Sequence, residues 1–256
     1  MAYIEQDQVT DIRRSNDIGN ISFGFMLTNK INVAIKRIKK PPTDKVNEYN
    51  HPNIVEFLGI YSIKDENQLF LIMPFAKDGN LRNYIENNKL SFNRKIEIAI
   101  NITNGIRFLH KNDMIHENLN PKNILIFDGI AKITNLPNDL YIRNKDLYMN
   151  DGLFDNIGYI EPNSILNRNY KKNKSVDIYS LGTLLWEIMS EKIPFSDDQN
   201  DGILQLMLRI KEGYREVDII SDPEYVNLYK SCWDGNNLIR PKIDDVYNQL
   251  LNITNY

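Results

Sequence analysis

The spacing of apolar residues changes at about residue 74. Before it, short apolar runs alternate with polar positions between turn residues, which is typical of β-strands. After it, apolar residues mostly recur at helical spacing. The pattern predicts strands at 31–38, 54–60, 68–73, 124–126 and 130–134, and helices at 43–50, 80–86, 91–110, 176–190, 202–212, 225–232 and 242–253. Residues 1–10 are polar and are expected to fray, and 135–174 has the pattern of a long loop.

This order of elements predicts an α+β fold with two lobes. We place a small β-rich lobe at 11–74, a hinge at 74–79 and a larger helical lobe at 80–254. A chain of 256 residues is long enough to bury a core in such an arrangement.

Composition restricts the classes of function. The net charge is −3, so no basic field favours nucleic acid as a partner. The sequence contains no run of 18 apolar residues, so no membrane segment is expected. Cys232 is the single cysteine, which excludes a disulfide framework and suits a reducing compartment. We therefore expect a cytoplasmic protein.

Residues 115–126 are the most informative stretch, because a polar run stands between apolar ends. Pro121 stops any helix through it, and residues 124–126 have the pattern of a short buried strand. A polar loop held by apolar elements is a common place for chemistry. The polar side chains that it offers are His116, Glu117, Asn118, Lys122 and Asn123, with no Asp among them.

These features, with others in the same order, resemble a protein kinase domain of the tyrosine-kinase-like and Ser/Thr type over about residues 11–254. The matching segments are 19–24 (GxGxxG), 33–36 (VAIK), 51–55 (HPNIV), 116–123 (HRDLxxxN), 135–137 (DFG), 159–163 (the APE end of the activation segment), 177–182 (DxxSxG) and 232–233 with 240–241 (CW and RP). The resemblance implies the bilobal kinase fold.

The resemblance also implies a site for ATP. The residues that match the nucleotide site are Ile18, Gly19, Gly24, Ala34, Lys36, Met73, Ala76 and Leu125. At the hinge, the carbonyl of Pro74 and both backbone groups of Ala76 remain available for two-point bonding of adenine. Asn123 matches the second metal ligand, and it is equally well explained as a residue that ties the loop together by hydrogen bonds.

Two departures affect the chemistry directly. Asn118 stands where the family has the Asp that accepts the substrate proton, and Asn135 stands where it has the Asp that holds Mg²⁺. Loss of a general base costs about 10²–10⁴-fold in rate, and Mg²⁺ prefers anionic oxygen ligands. We therefore expect no intact catalytic pair, weak and largely metal-independent ATP binding, and poor Mg²⁺ binding.

Further departures agree. Ile21 replaces a glycine of the phosphate loop, and Glu117 replaces the Arg that receives an activation-loop phosphate. The segment for the family's αC helix is short, and its Glu48 either pairs with Lys36 or is solvated. Two contacts are expected to survive in this frame: Asp177 supporting the catalytic loop, and Glu161 pairing with Arg240 in place of Asn163.

The resemblance and its departures together predict a pseudokinase that acts as a scaffold or allosteric partner of other signalling proteins, such as an active kinase. One alternative is a slow or unconventional protein kinase that works through Lys36 and Asn123. Another is a defective product, suggested by the short αC segment. Tyr141, Tyr148 and Tyr159 are either sites of phosphorylation by another kinase or ordinary exposed or packing residues.

Overall fold

The N-terminal lobe is built on one β-sheet. The structure, a computed structural model, describes residues 3–4, 6–14, 21–38, 50–63, 68–136, 153–165, 167, 169–218 and 220–253. The strands of this sheet are β1 (Tyr3–Ile4), β2 (Val9–Arg14), β3 (Ile21–Met26), β4 (Ile31–Ile38), β5 (Gly59–Ile63) and β6 (Gln68–Pro74). They lie in the order β1-β5-β6-β4-β3-β2, and of these neighbouring pairs only β1 and β5 run parallel.

Alternation along β4 divides this lobe into two faces. Val33 and Ile35 point to the outer face, whose buried cluster is Ile4, Val9, Met26, Val33, Ile35, Tyr61 and Ile72. Ala34 points to the opposite face, which we call the cleft face because it also carries Lys36. The buried cluster on that face is Ala34, Ile38, Leu71 and Met73.

The prediction that residues 1–10 fray is wrong for the described residues 3–4 and 6–10. Tyr3 and Ile4 pair with Ile60 and Tyr61, so that β1 extends the sheet at the edge strand β5. Ile4 is 7% exposed and Val9 is 5% exposed. The apolar side chains of this short segment therefore complete the outer cluster.

The second lobe is helical apart from one hairpin, β7 (Ile124–Phe127) with β8 (Ile130–Ile133). Its helices are α1 (Leu81–Asn87), α2 (Phe92–Lys111), α3 (Leu153–Ile157), α4 (Pro162–Ile165), α5 (Ser175–Ser190), α6 (Ile203–Lys211), α7 (Pro223–Cys232) and α8 (Ile243–Ile253). Ser91 caps α2 as predicted, since its side chain accepts from the N–H of Arg94. Together the two lobes confirm the α+β kinase fold. Among the described residues, no helix is both long and apolar enough to cross a membrane.

The helical core forms around α2 and α5, and α5 approaches α7 closely. A Cβ on Gly182 of α5 would lie 2.8 Å from the Cβ of Cys232 and 2.8 Å from the backbone nitrogen of Trp233. Only glycine permits this approach without displacement of α7. This packing fixes the position of α5, which carries Asp177 in its first turn.

Two segments differ most from the sequence prediction. The strand expected at 54–60 is found at Gly59–Ile63, because Ile54 instead bridges to Ile133 of β8. Residues 51–55 contact the helical lobe: the His51 ring stacks on Phe108 of α2 at 4.8 Å, and Val55 donates to the Ile133 carbonyl. The side chain of Val55 also packs against the cleft-face cluster of the N-terminal lobe. The long loop expected at 135–174 is also wrong in part, since it contains α3 and α4. The helix expected at 43–50 lies outside the described residues except for Asn50, which is not helical.

Candidate functional site

Asp177, in the first turn of α5, supports the loop at 116–123 from below, as predicted. Its carboxylate accepts from the backbone N–H groups of His116 and Glu117, both at 2.8 Å, and lies 2.9 Å from Nε2 of His110. Asp177 is fully buried, and the N-terminus of a helix favours a negative charge. The loop that carries Asn118 is therefore held by a rigid anionic support.

His116 fixes the other side of this loop as a neutral ring. Its Nε2 lies 2.9 Å from the Thr134 carbonyl, and its Nδ1 accepts from the N–H of Asn118 at 3.3 Å. A carbonyl only accepts, so Nε2 carries the proton. Burial lowers the pKa of His116, which agrees with this assignment. The frame of the catalytic loop is intact although its acid is replaced.

Asn118 is held by amide donors. Asn120 donates from Nδ2 to the backbone carbonyl and to Oδ1 of Asn118, both at 3.1 Å, and Asn123 donates to the same carbonyl at 2.7 Å. Sequence reasoning missed Asn120. Its signal was an Asn directly before Pro121, the usual arrangement at a helix start, and its side chain does accept from the N–H of Lys122.

Lys36 and three asparagines form a hydrogen-bonded row across the cleft, which we call the amide row. Lys36 of β4 donates to Oδ1 of Asn135, Asn135 donates to Oδ1 of Asn123, and Asn123 donates to the carbonyl of Asn118. Asn135 has φ of 59°, a left-handed conformation that Asn tolerates. Burial lowers the pKa of Lys36 to about 8. The row joins the two lobes through neutral amides and one ammonium.

The residues at these positions do not fit Mg²⁺. A metal would need the side-chain oxygens of Asn123 and Asn135, and each of them accepts a hydrogen bond within the row, which leaves one lone pair of each oxygen outside it. Amide oxygens also lack the negative charge that Mg²⁺ prefers. Within the described residues, no group of three or more His, Cys, Asp or Glu side chains is placed to hold a metal ion. Of the two roles open for Asn123, the structure shows the one that ties the loop together.

The residues expected to bind adenine are largely covered. Ala34 is 8% exposed and Met73 is 5% exposed, while Leu125 of β7 is half-buried. The carbonyl of Ala76 accepts from the N–H of Gly79 at 3.1 Å. Gly24 faces away from the cleft: a Cβ there would lie 3.1 Å from side-chain atoms of Val9 and of Ile35. Ile18, Gly19 and Glu48 lie outside the described residues.

Glu117 forms an ion pair in place of a phosphate contact. Its Oε2 lies 3.3 Å from Nζ of Lys172, and both side chains are mostly buried. Its φ is 65°. The charge at this position is thus reversed relative to the Arg of the family, and a cation from the segment before α5 binds it.

The segment before α5 is also anchored through two buried clusters. Arg240 donates to both carboxylate oxygens of Glu161, and each side chain is completely buried, so the predicted substitution of Glu161 for Asn163 is confirmed. Tyr159 donates to Glu187 and accepts from Arg82 at 3.0 Å. Tyr159 is 4% exposed and is therefore a packing residue. Tyr141 and Tyr148 lie outside the described residues.

Comparisons with known proteins extend over most of the chain. Residues 17–250 match a family model described as protein tyrosine and serine/threonine kinase. A mimivirus protein from Acanthamoeba polyphaga mimivirus, named as a serine/threonine-protein kinase/receptor, is 29% identical over 258 residues, covering 92% of this chain and 15% of that protein. Serine/threonine-protein kinase VIK of Arabidopsis thaliana is 26% identical over 272 residues, covering 94% of this chain and 59% of that protein. Dual specificity protein kinase zakA of Dictyostelium discoideum is 29% identical over 262 residues, covering 89% of this chain and 32% of that protein. The chain spans less than two thirds of each of these relatives.

Proposed function

The chain belongs to the protein tyrosine and serine/threonine kinase family, and from this premise we propose that it is a pseudokinase. In this proposal the kinase fold acts through contacts with other signalling proteins, such as an active kinase, and phosphoryl transfer is absent or very weak. The observation that carries the proposal is the amide row. Asn118 and Asn135 take the places of the base and the metal ligand. The Asn135 amide is hydrogen-bonded to Lys36 and Asn123, and the side-chain oxygen of Asn118 accepts from Asn120.

The chemical argument rests on charge. Phosphoryl transfer depends on positioning and on electrostatic stabilisation by metal ions and a carboxylate base. The row offers one ammonium, on Lys36, and amide dipoles. One ammonium and amide dipoles can attract the phosphates of a nucleotide only weakly, and they do so without a metal. The proposed domain therefore binds ATP weakly and largely independently of metal.

The decisive experiment is a phosphotransfer assay of the full chain with ATP, Mg²⁺ and a generic protein substrate. We expect no transfer above that of the Lys36→Ala variant, which serves as the control for contaminating kinases. Transfer at an ordinary kinase rate that Lys36→Ala abolishes would overturn the proposal. The double variant Asn118→Asp/Asn135→Asp then asks whether restoring two carboxylates to an intact frame restores transfer.

A slow or unconventional kinase is the second candidate, and one observation favours it. Asp177 and His116 hold the loop at 116–123 in an ordered frame with Lys36 across the cleft, and the relatives carry kinase names. Positioning alone supplies part of the catalysis in this family. Slow transfer that requires Lys36 and persists without Mg²⁺ would select this candidate.

A further inference from the structure

The aromatic side chain of Phe23 stands in a cross-strand row on the cleft face. Phe23 of β3 pairs with Ala34 of β4, and Ala34 pairs with Met73 of β6. Residues paired directly across antiparallel strands share a face with Cβ atoms about 4.5–5.5 Å apart. Phe23 therefore lies beside Ala34 and on the same face as Met73, which flanks Ala34 on its other side. Ala34 and Met73 are residues of the upper lobe that the kinase resemblance assigns to the adenine walls.

The row is packed as a small core. Phe23 packs against the buried cluster that contains Ala34 and Met73, and its ring meets the hinge residue Phe75 edge to face, with centroids 5.0 Å apart. On the far side, the Thr134 hydroxyl lies 4.0 Å from the sulfur of Met73. An adenine ring uses the apolar surface of such walls by stacking on it. Here that surface is already covered from within the protein.

We propose that Phe23 is a plug of the base site: its ring covers the wall that a nucleotide base would use, and the base enters only after the ring leaves. The proposal concerns regulation of the same site and rests on the proposed function, in which the cleft binds nucleotide weakly. If only a minor fraction of the molecules has an open base site, the apparent affinity for the ligand is lowered in proportion to that fraction. The plug thus accounts for weak base binding independently of the missing carboxylates.

The structure also contains space for the displaced ring. A cavity of about 380 Å³ adjoins Phe23 and the hinge residue Phe75. Its lining also includes Phe25, so a Phe23 ring that swings outward stays near Phe75, which it already contacts, and approaches Phe25 as a second aromatic side chain. The displaced ring keeps apolar contacts, which limits the cost of opening.

The test uses adenosine, because it carries the base without phosphate and its binding does not involve metal. Calorimetric titration of the full chain is compared with the Phe23→Ala variant, for which we expect an affinity for adenosine raised about tenfold or more, as expected when a minor competent state becomes the major one. Phe70→Ala is the matched control, since Phe70 is a half-buried Phe on the outer face of the same sheet. That control is expected to leave the affinity unchanged.

Phe75→Ala provides a second variant should Phe23→Ala fail to fold, since it removes the edge contact and keeps the ring. We expect an intermediate gain in affinity from it. Equal or weaker adenosine binding by both variants, or no detectable binding by any of them, would overturn the plug. The phosphotransfer assay separates the two proposals. If Phe23→Ala binds adenosine more tightly and transfers phosphate, the pseudokinase is refuted and the plug is supported. If its affinity is unchanged and it transfers no phosphate, the plug is refuted and the pseudokinase is supported.

Discussion

The pKa of Lys36 reflects the surroundings of its side chain in the cleft. Its ammonium is desolvated beneath the N-terminal lobe, and this burial lowers its pKa to about 8. An amide oxygen of Asn135 accepts its proton where the family has a carboxylate. A carboxylate partner would raise the lysine pKa, so the replacement of one Asp affects the protonation of a residue 99 positions away.

The low pKa of Lys36 predicts how stability depends on pH. The unfolded chain, with an ordinary lysine pKa of 10.5, binds more protons than the folded chain between pH 8 and 10.5. The buried charge of Lys36 therefore lowers the free energy of unfolding, fully below pH 8 and not at all above pH 10.5. The upper limit of this effect is about 3 kcal/mol.

We expect Lys36→Met to stabilise the protein relative to the native chain most at pH 7 and least near pH 10.5. Urea denaturation of the two proteins across this range measures the difference, in which the titration of all other groups cancels. Leu71→Met, a change in the same cross-strand row, controls for repacking. A difference that does not vary with pH would show that Lys36 titrates normally.

At the scale of elements, the segment before α5 is fixed by buried charge rather than by an open phosphate site. Glu161 pairs with Arg240, Glu117 pairs with Lys172, and Tyr159 joins Glu187. Burial raises the pKa of Glu187 and of Tyr159. These contacts are all made between protein side chains, so they do not depend on an added phosphate.

The buried pair of Glu161 and Arg240 gives a sharp stability prediction. Arg240→Leu leaves the Glu161 carboxylate buried without its partner, and we expect a loss of about 3–5 kcal/mol in the free energy of unfolding. The double variant Glu161→Leu/Arg240→Leu is expected to lose less, because no charge is left stranded. Urea denaturation measures both.

Lys174→Ala is the control for this prediction, since Lys174 forms an exposed pair with Asp113 and is expected to matter little. A double variant less stable than Arg240→Leu would contradict the buried-charge explanation.

At the scale of the whole molecule, the short strand β1 joins the N-terminus to the sheet. Ile4 is buried in the outer cluster and Tyr3 is 61% exposed, so adjacent residues occupy opposite environments. The parallel pairing with β5 extends the sheet beyond the edge that β5 would otherwise leave open. The N-terminal lobe thus depends on a segment that precedes its main meander.

This arrangement predicts a contrast between neighbours. Ile4→Ala is expected to lower the free energy of unfolding by about 2 kcal/mol, since it removes a buried aliphatic side chain. Tyr3→Ala is expected to change it little. Thermal and urea unfolding of both variants check this prediction, and a loss for Ile4→Ala no larger than that for Tyr3→Ala would contradict it.

Much of the architecture was accessible from the sequence because its signals are local. The cap at Ser91 and the alternation along β4 depend on residue type and spacing, whereas the support from Asp177 was implied by the kinase resemblance. The missed features depend on pairing between distant segments. Two residues are too few to show a strand period, so β1 was assigned to a frayed end, and the position of Phe23 beside Ala34 follows from a register that turn length sets.

The amide row has a direction. Lys36 at one end can only donate, and the Asn118 carbonyl at the other end can only accept, so each amide between them has a single permitted orientation. A turned amide would set donor against donor, or acceptor against acceptor, at both of its ends. Replacement of Lys36 by Glu would place an acceptor at each end of the row, so that one contact would set acceptor against acceptor whichever amides turned. The orientation of the amides is therefore set jointly by a side chain of the upper lobe and a backbone carbonyl of the lower one.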